Sequence, residues 1–130
     1  MGRKILVVED EASLRKAVSI SLKKNGYEVL MATSSQEALD ALNAAGQVDA
    51  IWLDHYLLNK ETGLDFLKLM KKNEKWKSLP IFVVTNSVDD NKVRSYFLMG
   101  IEKYYVKAEN SLDTIIEDID CHFQEGSKNG

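Results

Sequence analysis

The chain has 130 residues, 45% hydrophobic and 28% charged, a balance that fits one globular domain with a real core. Its net charge of −3 carries no basic footprint for nucleic acid, and the single Cys121 excludes an intrachain disulfide framework and fits a reducing compartment. The opening Met1-Gly2-Arg3-Lys4 leads into an apolar run too short for a signal peptide or a membrane span, so a cytoplasmic location is expected.

The predicted elements alternate along the chain. Lys4 to Val8 is an apolar run that stops at Glu9-Asp10-Glu11. Leu14, Ala17, Val18, Ser21 and Leu22 then recur at helical spacing, and Asn25-Gly26 closes that helix. Tyr27 to Ala32 reads as a second strand. Ser34 and Glu37 carry the signature of a capping box, followed by Ala38, Leu39 and Leu42 on a core face and Gly46 as a stop. Ala50 to Leu53 is a third strand and stops at Asp54. A loop from Tyr56 to Thr62 follows, and Gly63 opens a third helix. Leu64, Leu67 and Met70 fall three apart there, with Phe66 and Leu69 widening the apolar face. After Pro80, the only proline, Ile81 to Val84 stops at Thr85. Asp89 and Asp90 suit the first turn of a fourth helix, with Val93, Tyr96 and Phe97 as its core face and Gly100 as its end. Tyr104 to Val106 is a fifth strand and stops at Lys107. Ser111 caps a last helix carrying Leu112, Ile115, Ile116 and Ile119. The folded domain is expected over 1–125, with 126–130 a flexible polar tail.

Short apolar runs that alternate with helical patterns predict βαβ units around a parallel sheet buried on both faces. Ligands of such sheets bind outside the carboxyl ends of the strands. Glu9, Asp10, Asp54, Thr85 and Lys107 are therefore expected at one rim. Each has an ordinary role when taken alone. Acidic residues before a helix act as caps, an Asp often ends a strand in a turn, and a lysine is often solvated. The joint pattern is different, because each residue closes a different strand at the same end. A rim crowded with carboxylates calls for a cation, and a hard divalent ion with oxygen ligands answers that. Lys107 then offers a point charge to phosphate oxygens.

These residues resemble the response-regulator receiver domain of two-component signalling. The resemblance runs from Arg3 to Phe123 and is carried by Ile5-Leu6-Val7-Val8-Glu9-Asp10-Glu11, Leu53-Asp54, Val84-Thr85 and Tyr104-Tyr105-Val106-Lys107. It implies an α/β fold with a five-stranded parallel sheet, doubly wound in the flavodoxin-like (βα)5 manner. It implies a phosphoacceptor switch rather than an enzyme, with Asp54 taking a phosphoryl group from a histidine kinase or phosphotransfer protein. Glu9, Asp10 and Asp54, with the backbone carbonyl of Tyr56, would hold Mg²⁺. Thr85 would hydrogen-bond the phosphoryl group and Lys107 would pair with it. Tyr104 matches the aromatic switch position, and the surface around the fourth helix, fifth strand and fifth helix would change. The partner downstream is then another protein, or an output domain beyond this segment.

The chain departs from the family pattern at four places. Ala108 follows Lys107 where the family carries proline. Leu58-Asn59 stand where a proline is common, and Gly63 comes one residue late, which implies an insertion after Asp54. Asn86 follows Thr85 where a small residue is usual and is expected to crowd phosphoryl access, as is Tyr56. These loops keep open a second reading, a receiver-like docking module that works without phosphorylation. A hydrolase with an aspartyl-phosphate intermediate would want a second Asp where Tyr56 stands. A flavodoxin-like cofactor binder would want a phosphate loop where Glu9-Asp10-Glu11 stands. Alternation along a strand turns His55 away from Asp54, toward the helix layer. Trp52 and Cys121 are read as packing residues. Lys68, Lys71, Lys72, Lys75 and Lys77, with Trp76 among them, are read as a solvated helix end.

Overall fold

The computed structural model describes residues 2–129, with side chains through residue 125. Five strands form one parallel sheet in the order β2-β1-β3-β4-β5. They are β1 (Lys4–Val8), β2 (Glu28–Ala32), β3 (Ala50–Leu53), β4 (Ile81–Thr85) and β5 (Lys103–Val106). The helices between and after them are α1 (Ala12–Lys24), α2 (Ser35–Ala45), α3 (Gly63–Met70), α4 (Asp90–Leu98) and α5 (Leu112–Asn129). This is the doubly wound, flavodoxin-like order read from the sequence.

Two apolar cores lie on opposite faces of the sheet because the strands alternate. Leu6, Val8, Ile51, Leu53, Ile81 and Val83 face α2, α3 and α4. Ile5, Val7, Ala50, Trp52, Phe82 and Val84 face α1 and α5, against Val18, Leu22, Ile115, Ile116 and Ile119. Right-handed crossovers force this split once the winding reverses between β1 and β3. The ends of α5 and the sheet are also tied by tyrosines. Tyr27 donates its hydroxyl to Asp120, and Tyr105 donates to Asp118 at 2.7 Å.

Several details differ from the sequence reading, each for a local reason. Tyr27 precedes β2 rather than starting it, and burial takes its side chain into the α1–α5 core. The reciprocal capping box forms at Thr62 and Asp65, at the start of α3. Ser34 does cap α2, but the Glu37 carboxylate turns to the N–H and hydroxyl of Thr33 instead. On α3, Phe66, Leu67 and Met70 are buried while Leu69 is exposed. On α4 only Tyr96 is buried; Phe97 lies one residue round the helix and is half exposed, and Val93 is partly covered. The contact stripe of α4 on the sheet is thus one side chain wide. Cys121 is exposed rather than packed. Trp76 belongs to the α2–α3–α4 core, so the lysines near it form no surface interleaved with that ring. The backbone of α5 continues as helix to Asn129, past the expected domain limit at 125; Gly130 lies outside the described residues. Among the described residues no helix is long and apolar enough to cross a membrane.

Candidate functional site

Strand register assembles the rim. Val8 pairs with Leu53, Leu53 with Val83, and Thr85 with Val106. The residues that come next, Glu9, Asp54 and Lys107, therefore leave the sheet at the same edge as Thr85. The Asp54 N–H donates to the Val8 carbonyl at 3.0 Å, which extends the ladder by one residue. The β1–β3 junction is also where the winding direction reverses, the crevice in which open sheets of this kind bind ligands.

Glu9, Asp10 and Asp54 each bring one carboxylate oxygen to within 4.8 Å of the others. Glu9 and Asp54 are buried, and Asp10 is the least enclosed of the three. Lys107 Nζ donates to Glu9 Oε1 at 2.7 Å and to Asp54 Oδ2 at 3.0 Å. The other oxygens are held by the backbone. Asp54 Oδ1 accepts the His55 N–H at 2.7 Å, and Glu9 Oε2 accepts the Glu11 N–H at 3.1 Å. Burial pushes the Glu9 carboxyl up to about 7, and the nearby Asp54 charge adds to that against the pull of Lys107. Burial also works to lower the Lys107 ammonium, but the two carboxylates outweigh it and the net direction is upward. The lysine thus stays charged beside a Glu9 carboxyl that is a weaker acid than usual. The all-oxygen donor set suits a hard divalent cation rather than a soft one.

A second group of residues links the rim to β5 and α4. Thr85 is fully buried, and its Oγ1 accepts the Ser87 N–H at 3.5 Å. Tyr104, partly buried, donates its hydroxyl to the Ser87 carbonyl at 2.6 Å, and its ring centroid lies 5.8 Å from that of Tyr96. The exposed Asn86 turns its Oδ1 to the Ala108 N–H at 3.2 Å, tying the loop after β4 to the loop after Lys107. The Lys107–Ala108 peptide is trans. Tyr56 is half exposed, with its ring edge-on to His55 at 4.8 Å and Lys92 Nζ at 5.4 Å from its centroid. The loop after it returns on itself through a Tyr56–Thr62 bridge, with Asn59 and Lys60 in the left-handed region.

Two contributors, Arg15 and Ser87, were not legible in the sequence. Arg15 Nη1 donates to the carbonyls of Glu9 at 2.9 Å and Asp10 at 3.2 Å, which pins the backbone of the acidic turn. Its only advance signal was a place one helical turn after Glu11. Ser87 joins Thr85 to Tyr104 but looks like any turn serine. His55 is buried on the α4 side, as alternation predicts, and its Nδ1 meets the Tyr96 hydroxyl at 2.7 Å. Burial, helped by the Lys92 charge, lowers its pKa. Gly63 makes this approach possible. A Cβ there would sit 2.5 Å from the Tyr96 hydroxyl and 2.7 Å from the Asp54 carbonyl.

Residues 5–120 match the family model of the response regulator receiver domain. The phosphate regulon transcriptional regulatory protein PhoB of Klebsiella pneumoniae is 34% identical over 108 residues, 82% of this chain and 46% of that protein. The chain thus spans about half the length of that curated relative. The chemotaxis protein CheY1 of Helicobacter pylori is 30% identical over 105 residues, covering 80% of this chain and 84% of its own. Among solved structures, the chemotaxis protein CheY4 of Vibrio cholerae superposes with a TM-score of 0.83 at 28% identity, covering 92% of this chain and 98% of that one.

Proposed function

This chain belongs to the response-regulator receiver family, and we propose that within it Asp54 is the phosphoryl acceptor of a cytoplasmic signalling switch. The observation that carries this reading is the Lys107 ammonium shared between Asp54 and Glu9, beside Asp10, at the winding reversal of the sheet. An Asp54 carboxylate oxygen attacks the phosphorus of a phosphohistidine on a histidine kinase or phosphotransfer protein. The P–O bond forms as the P–N bond breaks, and the leaving imidazole takes a proton from solvent. Asp54 is held for this by the His55 N–H on one oxygen and Lys107 on the other.

Glu9, Asp10 and Asp54, with the Tyr56 carbonyl, are the residues that would hold Mg²⁺. When bound, that ion screens the charge that builds up as the phosphoryl group transfers. The acyl phosphate adds negative charge and acceptor oxygens at the rim. Lys107 pairs with those oxygens and the Thr85 hydroxyl hydrogen-bonds one of them. That draws Thr85 from the Ser87 N–H, and Tyr104, bonded to the same Ser87, responds. The readout is a changed surface on α4, β5 and α5, presented to a partner protein or to an output domain outside this segment. The role is a switch rather than that of an enzyme turning over free substrate, and this segment has no part in binding nucleic acid.

The test is labelling by a small acyl-phosphate donor, with and without Mg²⁺, followed by mapping of the site by mass spectrometry. Wild type takes up one phosphoryl group at Asp54 only with the metal, and Asp54→Asn takes up none. Label on another residue of the wild type would reject the assignment. No label under any condition favours the docking-module reading, to which the altered loops after Asp54 and Lys107 lend weight.

A further inference from the structure

Arg15, the fourth residue of α1, stands beside three consecutive acidic residues, Glu9, Asp10 and Glu11, and forms an ion pair with none of them among the described residues. Its Nη1 donates instead to two backbone carbonyls, that of Glu9 at 2.9 Å and that of Asp10 at 3.2 Å. The Glu9 carbonyl belongs to the peptide that enters Asp10, and the Asp10 carbonyl to the peptide that leaves it. Those two rigid planes meet at the Asp10 Cα. A single nitrogen that holds both therefore fixes φ and ψ there, and with them the direction of the Cα–Cβ bond. The Glu37 carboxyl on α2, lowered chiefly by its hydrogen bonds to Thr33, also feels the Arg15 charge through space.

Asp10 depends on such a clamp more than the other two carboxylates of the rim. Glu9 is held by Lys107 and the Glu11 N–H, and Asp54 by Lys107 and the His55 N–H. The Asp10 carboxylate has no hydrogen bond or ion pair among the described residues, yet one of its oxygens lies within 4.8 Å of an oxygen of each of the others. Nothing bonded to the side chain keeps it there, so its place follows from its backbone. We infer that Arg15 is a positioning residue for the divalent cation: by clamping both peptide planes that flank the Asp10 Cα, it keeps the unpartnered carboxylate of the rim beside Glu9 and Asp54. The inference rests on the metal reading given above. An unclamped Asp10 would have to be ordered as the ion binds, and fixing the backbone of one residue weakens binding by a factor of about five to thirty. Electrostatics alone gives the opposite sign. Removing a positive charge beside the rim leaves it more negative and favours a divalent cation. The sign of the effect therefore separates positioning from charge.

The test titrates Mg²⁺ into the full chain by calorimetry, for wild type and Arg15→Met, and follows backbone order by NMR relaxation without metal. Methionine keeps an unbranched stem and a good helix former but removes the donor. Arg15→Met should bind Mg²⁺ about fivefold to thirtyfold more weakly than wild type. Without metal, the order parameter of the Asp10 amide should fall from about 0.85 toward 0.6. Glu9, whose N–H is tied to the Ala32 carbonyl, and the rest of α1 should keep theirs. Arg15→Lys keeps the charge on a shorter stem and should change both readouts in the same direction by less; it carries the test if the methionine variant does not fold. Binding in the variants equal to or tighter than that of wild type overturns the inference and leaves the metal reading standing. An unchanged order parameter at Asp10 also overturns it. Wild type that takes up no Mg²⁺ overturns the metal reading, and this inference falls with it.

Discussion

Replacing Tyr96 with phenylalanine removes one oxygen from the interior, a partner of both His55 Nδ1 and the Leu64 N–H. The ring keeps its packing, since Tyr96 is fully buried against the α2–α3–α4 core. What is lost is the 2.7 Å contact with His55 Nδ1, leaving a buried imidazole nitrogen with no partner. Stranding a buried polar group of this kind costs about 1–3 kcal/mol. For a chain of this size each kcal/mol lowers Tm by about 3–5 °C, so a fall of about 3–15 °C is expected. The measurement belongs above the ordinary histidine pKa of 6.5, where the imidazole is neutral folded and unfolded alike. Burial holds His55 below that value, so its contribution is complete above 6.5 and is lost as the pH falls through the folded pKa. A double-mutant cycle with His55→Leu isolates the pair, with an expected coupling of about 1 kcal/mol or more. Urea denaturation placing Tyr96→Phe within a few tenths of a kcal/mol of wild type, or a coupling near zero, would refute the argument that this bond ties the acceptor strand to α4.

Asp10→Ala should remove most Mg²⁺ binding, and wild-type affinity should fall toward acid pH as the carboxylates protonate; calorimetry giving equal affinities for the two proteins would contradict the assigned ligand set. Glu9 is raised from 4.5 to about 7 in the folded protein, so the folded state binds the extra proton. Stability should therefore fall by about 3 kcal/mol at most as the pH rises from 4.5 to 7 without metal, and Glu9→Gln should flatten that slope in denaturation curves. Tyr56 stands half exposed, with its ring edge-on to His55 beside the Asp54 strand end. Tyr56→Ala should admit water and shorten the life of phospho-Asp54; an unchanged or longer half-life under matched Mg²⁺ would show that Tyr56 does not shield.

The strands and the rim were legible because both obey short-range rules. The bounds of β1 and β3 agree with the apolar runs at Lys4–Val8 and Ala50–Leu53, since a strand buried on both faces admits nothing polar until it ends. Glu9, Asp54, Thr85 and Lys107 follow from the same logic. The helix faces were less legible. On α4 the spacing of Val93, Tyr96 and Phe97 is helical, but only Tyr96 reaches the core, because its depth is set by His55 and Gly63, in another segment of the chain. Arg15 and Ser87 act through backbone carbonyls and amides of other loops, and no residue pattern records where a carbonyl will point.

The lysine grip on the rim makes the protein its own counter-ion. Lys107 already offsets part of the negative charge of Glu9 and Asp54, so a divalent ion bound there would compete with the lysine for their oxygens. The net gain is the difference between two pairings, which sets a modest ceiling on metal affinity however close the carboxylates lie. An ammonium released in this way would be free to pair with a phosphoryl group if Asp54 carries one, as proposed above. Metal uptake and lysine release would then be coupled, and weakening the lysine grip should tighten the metal. On this account the resting rim is a loaded state in which one cation is held in reserve for the arrival of the other.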